Sequence, residues 1–546
     1  MNVSTPGNED RNVSNDVANI LDVARSGDLD RAYELSSVAI LHGNRHPAFF
    51  DIVSGWLARH GQGNEAMAAL GLLRTLAVQD PVLLVRTGVL LLRLRHPPEA
   101  LVAFDAAIAL QPNFARAHYE RGVTLGILGR IDEMRAAHER TLTLDPDNAD
   151  ALASLALIAA RTGDGTRARE YALQSLNLRP DGGSANAALA VADIHEGKIT
   201  EGRNRLNGLL ADARFANDTW IDIAVSDAGD AFAQKNYSSY AFAAYTAVGE
   251  RRRVRQLPAT ENRRAIDAVR RRTAYFNRLR AWHIAGDCSP ACPVRGHVFL
   301  LGFMRSGTTL LETILASNPA VCATDEREFL AAPAQRYLFT DNTLDELVAL
   351  DESALSEWRE AYWKTVHETN ASIAGRVFVN KMPFNSLRLP LIAKLFPDAR
   401  VILAIRDPRD VVLSCFRHRF DASQLTFEFL RLEDCARFYA ATMEFVEACG
   451  RKLPLRVHEH RYEDMITDFD ASVRAVCEFI GVDWSETMRD FVDASGVIAP
   501  RNQSAEQVRR GLYSSGIGQW RRFRAQFEPV FPILAPWIER FGYATD

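Results

Sequence analysis

The sequence predicts two architectures in series: an all-α repeat array, then an α/β domain whose parallel sheet is flanked by helices. Three observations lead there. Pro112, Pro146 and Pro180 are spaced 34 residues apart, and so are Pro47 and Pro81. From His297 onward, short apolar strands alternate with helical stretches, the pattern of a parallel sheet covered on both faces. The chain also has 546 residues, more than one hydrophobic core ordinarily serves.

Composition sets the broad class. Hydrophobic residues make up 47% and charged residues 24%, the balance of a globular protein. Lys+Arg number 64 against 69 Asp+Glu, a net charge of -5. That excludes a globally basic nucleic-acid binder and a strongly acidic tail, so no nucleic acid is expected as partner. The cysteines (Cys288, Cys292, Cys322, Cys415, Cys435, Cys449 and Cys477) are odd in number and absent from the first half. Such usage suits a reducing compartment, so a cytoplasmic protein is expected. The first twenty residues are polar, and the most apolar stretch, Val82 to Leu94, is broken by Arg86 and Arg93. No signal core and no membrane span are expected.

Thirty-four residues is a period of paired antiparallel helices. With repeats starting at 47, 81, 115, 149 and 183, the eighth position holds Ser54, Gly88, Gly122, Ala156 and Ala190. The twentieth holds Ala66, Ala100, Met134, Ala168 and Gly202. Small residues belong at these places because the two helices of a pair cross there with close backbones, and the late proline ends the second helix. One step earlier, Val13 to His46 has Ser26-Gly27-Asp28 as its turn and Ala32 at the twentieth position. Six units over about 13–216 and a helical cap over Thr219 to Arg255 are expected. The array resembles a tetratricopeptide-repeat solenoid, with its aromatic positions mostly replaced (Leu84, His118, Leu152). That resemblance implies a concave groove for a protein or peptide, itself a candidate acceptor. The expected organisation is a polar tail over 1–12, the solenoid with its cap over 13–255, a basic linker over 256–294 and the α/β domain over 295–546.

Eleven arginines fall between Arg251 and Arg280, against Glu261 and Asp267. With little aromatic interleaving, this segment is expected to be a solvated linker helix. His283, Cys288, Cys292 and His297 are zinc-ligand types, but their spacing is not that of a standard knuckle and Pro290 and Pro293 suggest a loop. No metal is expected.

The α/β domain opens with the strand His297–Leu301, followed by Gly302-Phe303-Met304-Arg305-Ser306-Gly307-Thr308-Thr309 and a helix through Leu315. Further strands are expected at Val377–Val379, Arg400–Ile405 and Leu455–Glu459, and a helix at Ser472–Ile480. The loop has the form G-x4-G-T-T. Its glycines let the backbone curl, and amides at a helix N-terminus point at an anion. Thr308 stands where a nucleoside triphosphatase needs lysine, and Arg305 supplies the positive charge instead. Downstream, the strand ending at Ile405 leads into Arg406-Asp407-Pro408-Arg409-Asp410 and a helix carrying Ser414. Asp407 suits an N-cap and Pro408 the first helical position. Arg406 and Ser414 both reach toward a phosphate above that N-terminus.

These motifs resemble those of sulfotransferases that use 3′-phosphoadenylyl sulfate, and in particular the tyrosylprotein branch and its tetratricopeptide-fused relatives. By that resemblance, Arg305, Ser306, Gly307, Thr308 and Thr309 form the 5′-phosphosulfate loop, and Arg406 and Ser414 bind the 3′-phosphate. Glu326 stands where the family places its catalytic base. Lys381, in Asn380-Lys381-Met382-Pro383, stands at its catalytic lysine. Tyr462 matches a cofactor-contacting tyrosine, and Ser504–Val508 with Trp520 resembles the loop that closes over the nucleotide. Two positions depart from the pattern. Gly518 replaces a serine, for which Ser514 or Ser515 is the substitute, and Glu328 replaces an arginine, so an acidic acceptor is not required. The resemblance implies sulfuryl transfer from 3′-phosphoadenylyl sulfate to a hydroxyl, a protein tyrosine among the candidates, without metal. Arg305 and Lys381 would stabilise the growing charge, and Glu326 would take the proton. The alternative is a tetratricopeptide scaffold whose second domain is catalytically silent.

Overall fold

Six helix pairs open the chain: Glu9–Arg25 with Leu29–Leu41, Pro47–Arg59 with Gly63–Leu76, Pro81–Arg93 with Pro97–Leu110, Ala115–Ile127 with Ile131–Leu144, Ala149–Arg161 with Gly165–Leu178, and Gly183–His195 with Ile199–Ala211. The computed structural model describes residues 9–76, 79–260, 264–282, 293–324, 326–369, 373–494 and 516–545. The small residues of the period do what their size allows. Ser54, Ala66, Ala100, Ala156, Ala168 and Ala190 are completely buried, and a Cβ on Gly88 would lie 2.5 Å from the Phe104 ring. A further signal repeats with the same step. Gly27, Gly61, Arg95, Gly129, Gly163 and Gly197, each ending the first helix of its pair, all have positive φ. A left-handed residue reverses the chain there, and glycine adopts it without steric cost at five of the six places.

The chain divides into two compact units between Phe215 and Ala216. Sequence placed the helical pair after 219 with the solenoid. The helices Thr219–Gln234 and Ser238–Thr260 group instead with the second unit, which also holds the sheet. The reason lies in the arginines. Arg251 and Arg255 both pair with the buried carboxylate of Asp222. Arg252 donates to the Phe420 carbonyl, Arg264 forks onto Glu428, and buried Arg272 donates to the Leu387 carbonyl at 2.9 Å. Burial pulls Arg252 and Arg272 each down to about 10. The basic stretch is therefore not a solvated connector. Arg252, Arg264 and Arg272 bind carbonyls and a carboxylate of the α/β domain, while Arg251 and Arg255 bind Asp222 of the preceding helix, pairings that charge counting along the sequence could not reveal.

Five parallel strands form the sheet: β1 Gly296–Gly302, β2 Val321–Thr324, β3 Val377–Lys381, β4 Arg400–Ile405 and β5 Arg456–Arg461. Their order is β2-β3-β1-β4-β5. Sequence reading missed β2, whose four residues are too few for a periodicity signal. One face packs Val298, Leu300, Val377, Val379 and Ile402 against Leu311, Ile314 and Leu315 of the first helix and Val473, Val476 and Ile480 of Phe469–Ile480. Strand order reverses at β1, and open parallel sheets bind ligands at the carboxyl edge of such a switch point. Among the described residues, no helix is long and apolar enough to cross a membrane.

Close packing of the arginine-rich helix gives a paired prediction. A Cβ on Gly249 would overlap the Leu430 carbonyl, whereas one on exposed Gly71 meets nothing within 4 Å. Gly249→Ala is expected to destabilise the second unit by about 1–3 kcal/mol. Gly71→Ala should be neutral or stabilising by about 0.5–1 kcal/mol. Urea unfolding midpoints of the two variants measure both effects.

Candidate active site at the carboxyl edge of the sheet

Each strand delivers one of the sequence-predicted residues to the same edge. Arg305 lies in the loop after β1, Glu326 two residues after β2, Lys381 ends β3, Arg406 follows β4 and Tyr462 follows β5. The loop after β1 is tightly constrained. Gly307 has φ 91°, and a Cβ there would lie 2.6 Å from Tyr462. Arg305 itself takes a left-handed conformation, φ 68°, a strained state for a side chain with a Cβ and one that clusters at functional sites. Ser306, Thr308 and Thr309 are buried as the loop enters the helix Thr308–Ala316.

The two anion-binding motifs meet. Arg305 Nε donates to Ser414 Oγ at 3.1 Å, and Arg406 Nη1 donates to the Arg305 carbonyl at 3.0 Å. Arg406 also donates to the Gly516 carbonyl at 2.5 Å and lies over the Tyr462 ring, 4.9 Å from its centre. Its Nε is buried without a hydrogen-bond partner among the described residues. Burial, then the charges of Arg305, Arg417 and Arg419, hold His418 well below the usual imidazole value. Arg305 and Arg406 thus stand together at this edge.

Lys381 is fully buried, and its Nζ sits 3.0 Å from Glu326 Oε1 and 3.0 Å from Glu312 Oε2. Sequence reading anticipated neither the direct contact of Lys381 with Glu326 nor any role for Glu312. The signal for Glu312 was a lone carboxylate inside the apolar run Leu310-Leu311-Glu312-Thr313-Ile314-Leu315. Glu328 pairs with Arg388, which occupies that cation with an internal partner.

Further residues hold this frame. Asp407 caps its helix through the Arg409 amide and takes the Arg409 guanidinium on both oxygens, at 2.9 and 2.8 Å. Glu463 accepts the Asp407 amide at 3.0 Å and the Tyr543 hydroxyl at 2.6 Å. Asp410 accepts the amides of Gly518 and Trp520 at 2.6 and 3.0 Å, and burial raises its pKa. Trp520 is completely buried, with Arg409 stacked 4.0 Å from a ring centre and Phe531 edge-on at 5.7 Å. Its ring belongs to the core, so a base-stacking face there is not what the structure displays. Ser514, Ser515 and Ser504–Val508 lie outside the described residues, as do His283, Cys288 and Cys292. His297 is buried with Nε2 2.9 Å from the Tyr362 hydroxyl. Among the described residues, no group of three or more His, Cys, Asp or Glu side chains could hold a metal ion.

Residues 297–486 match the model of the sulfotransferase family. An uncharacterized protein of Aquifex aeolicus (strain VF5) is 27% identical over 254 residues, 44% of this chain and 33% of that one. The chain therefore aligns with a third of that relative's length. Protein-tyrosine sulfotransferase 1 of Danio rerio is 25% identical over 263 residues, 45% of this chain and 72% of that protein. The solved sulfotransferase domain from the curacin biosynthetic pathway is similar at 18% identity and a TM-score of 0.28, covering 43% of this chain and 98% of that one.

Burial gives His297 a measurable consequence. Its pKa is pushed down to about 3, below the ordinary imidazole value of about 6.5. As pH falls below about 6.5 the unfolded chain takes up a proton that the folded chain refuses, so stability is lost toward acid. Between about pH 7 and about pH 5, His297 alone should cost about 2 kcal/mol. Chemical unfolding of His297→Gln at the two pH values should show a pH-dependent loss smaller by that amount.

Proposed function

We propose that the protein is a sulfotransferase that moves a sulfuryl group from 3′-phosphoadenylyl sulfate to a hydroxyl acceptor. The observation that carries this reading is the convergence of Arg305, Ser414 and Arg406 at one end of the sheet edge with the Glu326–Lys381 pair at the other. The residues suit a donor with two anionic ends. The Gly307 cradle, which a Cβ would fill, fits the 5′-phosphosulfate. The Arg406 Nε, without a hydrogen-bond partner among the described residues, suits the 3′-phosphate together with Ser414. The donor supplies an activated sulfur–oxygen bond, and the chain supplies everything that steers its transfer.

Glu326, on the more exposed side of the pair, takes the proton of the acceptor hydroxyl. A new bond forms from acceptor oxygen to sulfur as the bond from sulfur to the phosphate oxygen breaks. The electron pair leaves on that phosphate, and nothing is oxidised or reduced. Lys381, Arg305 and the loop amides would serve the leaving phosphate, where negative charge grows and fixed cations lower a barrier. A protein tyrosine is the leading acceptor because of the tyrosine sulfotransferase relatives. The solenoid would take a protein or peptide in its groove. With Glu328 engaging Arg388, an acceptor with acidic neighbours gains no free cation at that place.

Incubation with 35S-labelled donor and candidate hydroxyl acceptors tests the reading. Wild type should transfer label, and Glu326→Gln, Lys381→Met and Arg305→Ala should each lower turnover by about 100-fold or more. Transfer that survives all three substitutions would displace these residues from the chemistry. A wild type that transfers nothing supports the silent-scaffold alternative.

A further inference from the structure

The ammonium of Lys381 carries two carboxylates, and the proton transfer described above uses only one of them. They are not equivalent. Glu326 comes from the segment after β2 and its side chain is 29% exposed. Glu312 comes from the second turn of the helix after β1 and is 9% exposed. An acceptor hydroxyl can approach the first, whereas packing shuts it off from the second.

We propose that Glu312 is a positioning residue that acts as the standing counter-ion of Lys381 through the transfer step. This inference rests on the sulfotransferase reading. Before the step, the trio consists of two anions and one cation. Once Glu326 has taken the acceptor's proton it is neutral, and its hold on the ammonium weakens at the moment the leaving phosphate needs that charge. A fully buried ammonium facing less anionic charge is costly and tends to give up its proton. Glu312, out of reach of the acceptor, remains an anion and keeps Lys381 charged and in place. The balance of the step is unchanged: one proton moves to Glu326, one oxygen–sulfur bond forms, one breaks, and the electron pair leaves on the phosphate. Geometry also assigns Glu312 a coupling role. It belongs to the helix that begins at the anion loop, so loop position and lysine position are tied through one short helix.

Glu312→Gln removes the charge and keeps the shape. In the full-length protein, kcat should fall about 10- to 100-fold while KM for 3′-phosphoadenylyl sulfate stays within about threefold. Affinity for adenosine 3′,5′-bisphosphate should likewise hold. Glu312→Asp, which retains the charge one methylene back, should recover part of the lost kcat. A merely structural role predicts otherwise: a lowered unfolding midpoint, KM rising in step with the loss of kcat, and no advantage of Asp over Gln. That pattern, or a Glu312→Gln variant with full kcat, overturns the inference while wild-type turnover upholds the function. Wild type that binds the bisphosphate yet transfers no label overturns the function and this inference together.

Discussion

An ammonium with no exposed surface, that of Lys381 at the end of β3, is the constraint around which the site is arranged. Burying such a charge costs several kcal/mol unless carboxylates meet it at close range. Two do, each at 3.0 Å, from the helix after β1 and the segment after β2. For both to reach it, the lysine strand has to lie between the other two, and the order β2-β3-β1 places it there. The ion trio and the strand order are thus one fact seen at two scales. Removing Lys381 would leave two carboxylates facing each other with no cation from the trio between them.

The other half of the sheet, β1-β4-β5, solves the opposite problem of holding many arginines still. Arg409 is gripped by the Asp407 carboxylate and covers Trp520. Asp410 anchors the Gly518 and Trp520 amides, and Glu463 ties the start of that helix to Tyr543 near the C-terminal end. Arg406 is oriented by two backbone carbonyls, and its charge also lies close enough to buried Asp410 to oppose the rise that burial imposes on that carboxyl. The same economy applies to Arg251, Arg252, Arg255, Arg264 and Arg272, whose partners are internal.

Much of this was legible in the sequence for reasons that are local. A 34-residue period survives the loss of its aromatic positions because small residues at the helix crossings are a steric requirement, as Gly88 against Phe104 shows. Arg305, Lys381, Arg406 and Tyr462 stand out because their motifs resemble the family's, and the structure sets each at or after the end of a strand. What escaped was tertiary. Glu312 looks like one polar residue on an apolar helix until β3 brings Lys381 beside it. By sequence Trp520 goes with the loop that closes over the nucleotide, yet its ring is completely buried beside Arg409. By sequence the helix Ser238–Thr260 reads mostly as part of the solenoid's cap, because its contact with the Phe420 carbonyl through Arg252 joins residues distant in sequence. Strand β2 was too short to announce itself.

The central claim is that the carboxyl edge reads a nucleotide bearing both a 3′- and a 5′-phosphate. Calorimetric titration with adenosine 3′,5′-bisphosphate and, separately, with adenosine 5′-monophosphate addresses it without any acceptor. The account predicts that the bisphosphate binds at least about 10-fold more tightly, equivalent to about 1.4 kcal/mol, and that Arg406→Ala abolishes the difference. Equal affinity for the two nucleotides, or binding of neither, would contradict it.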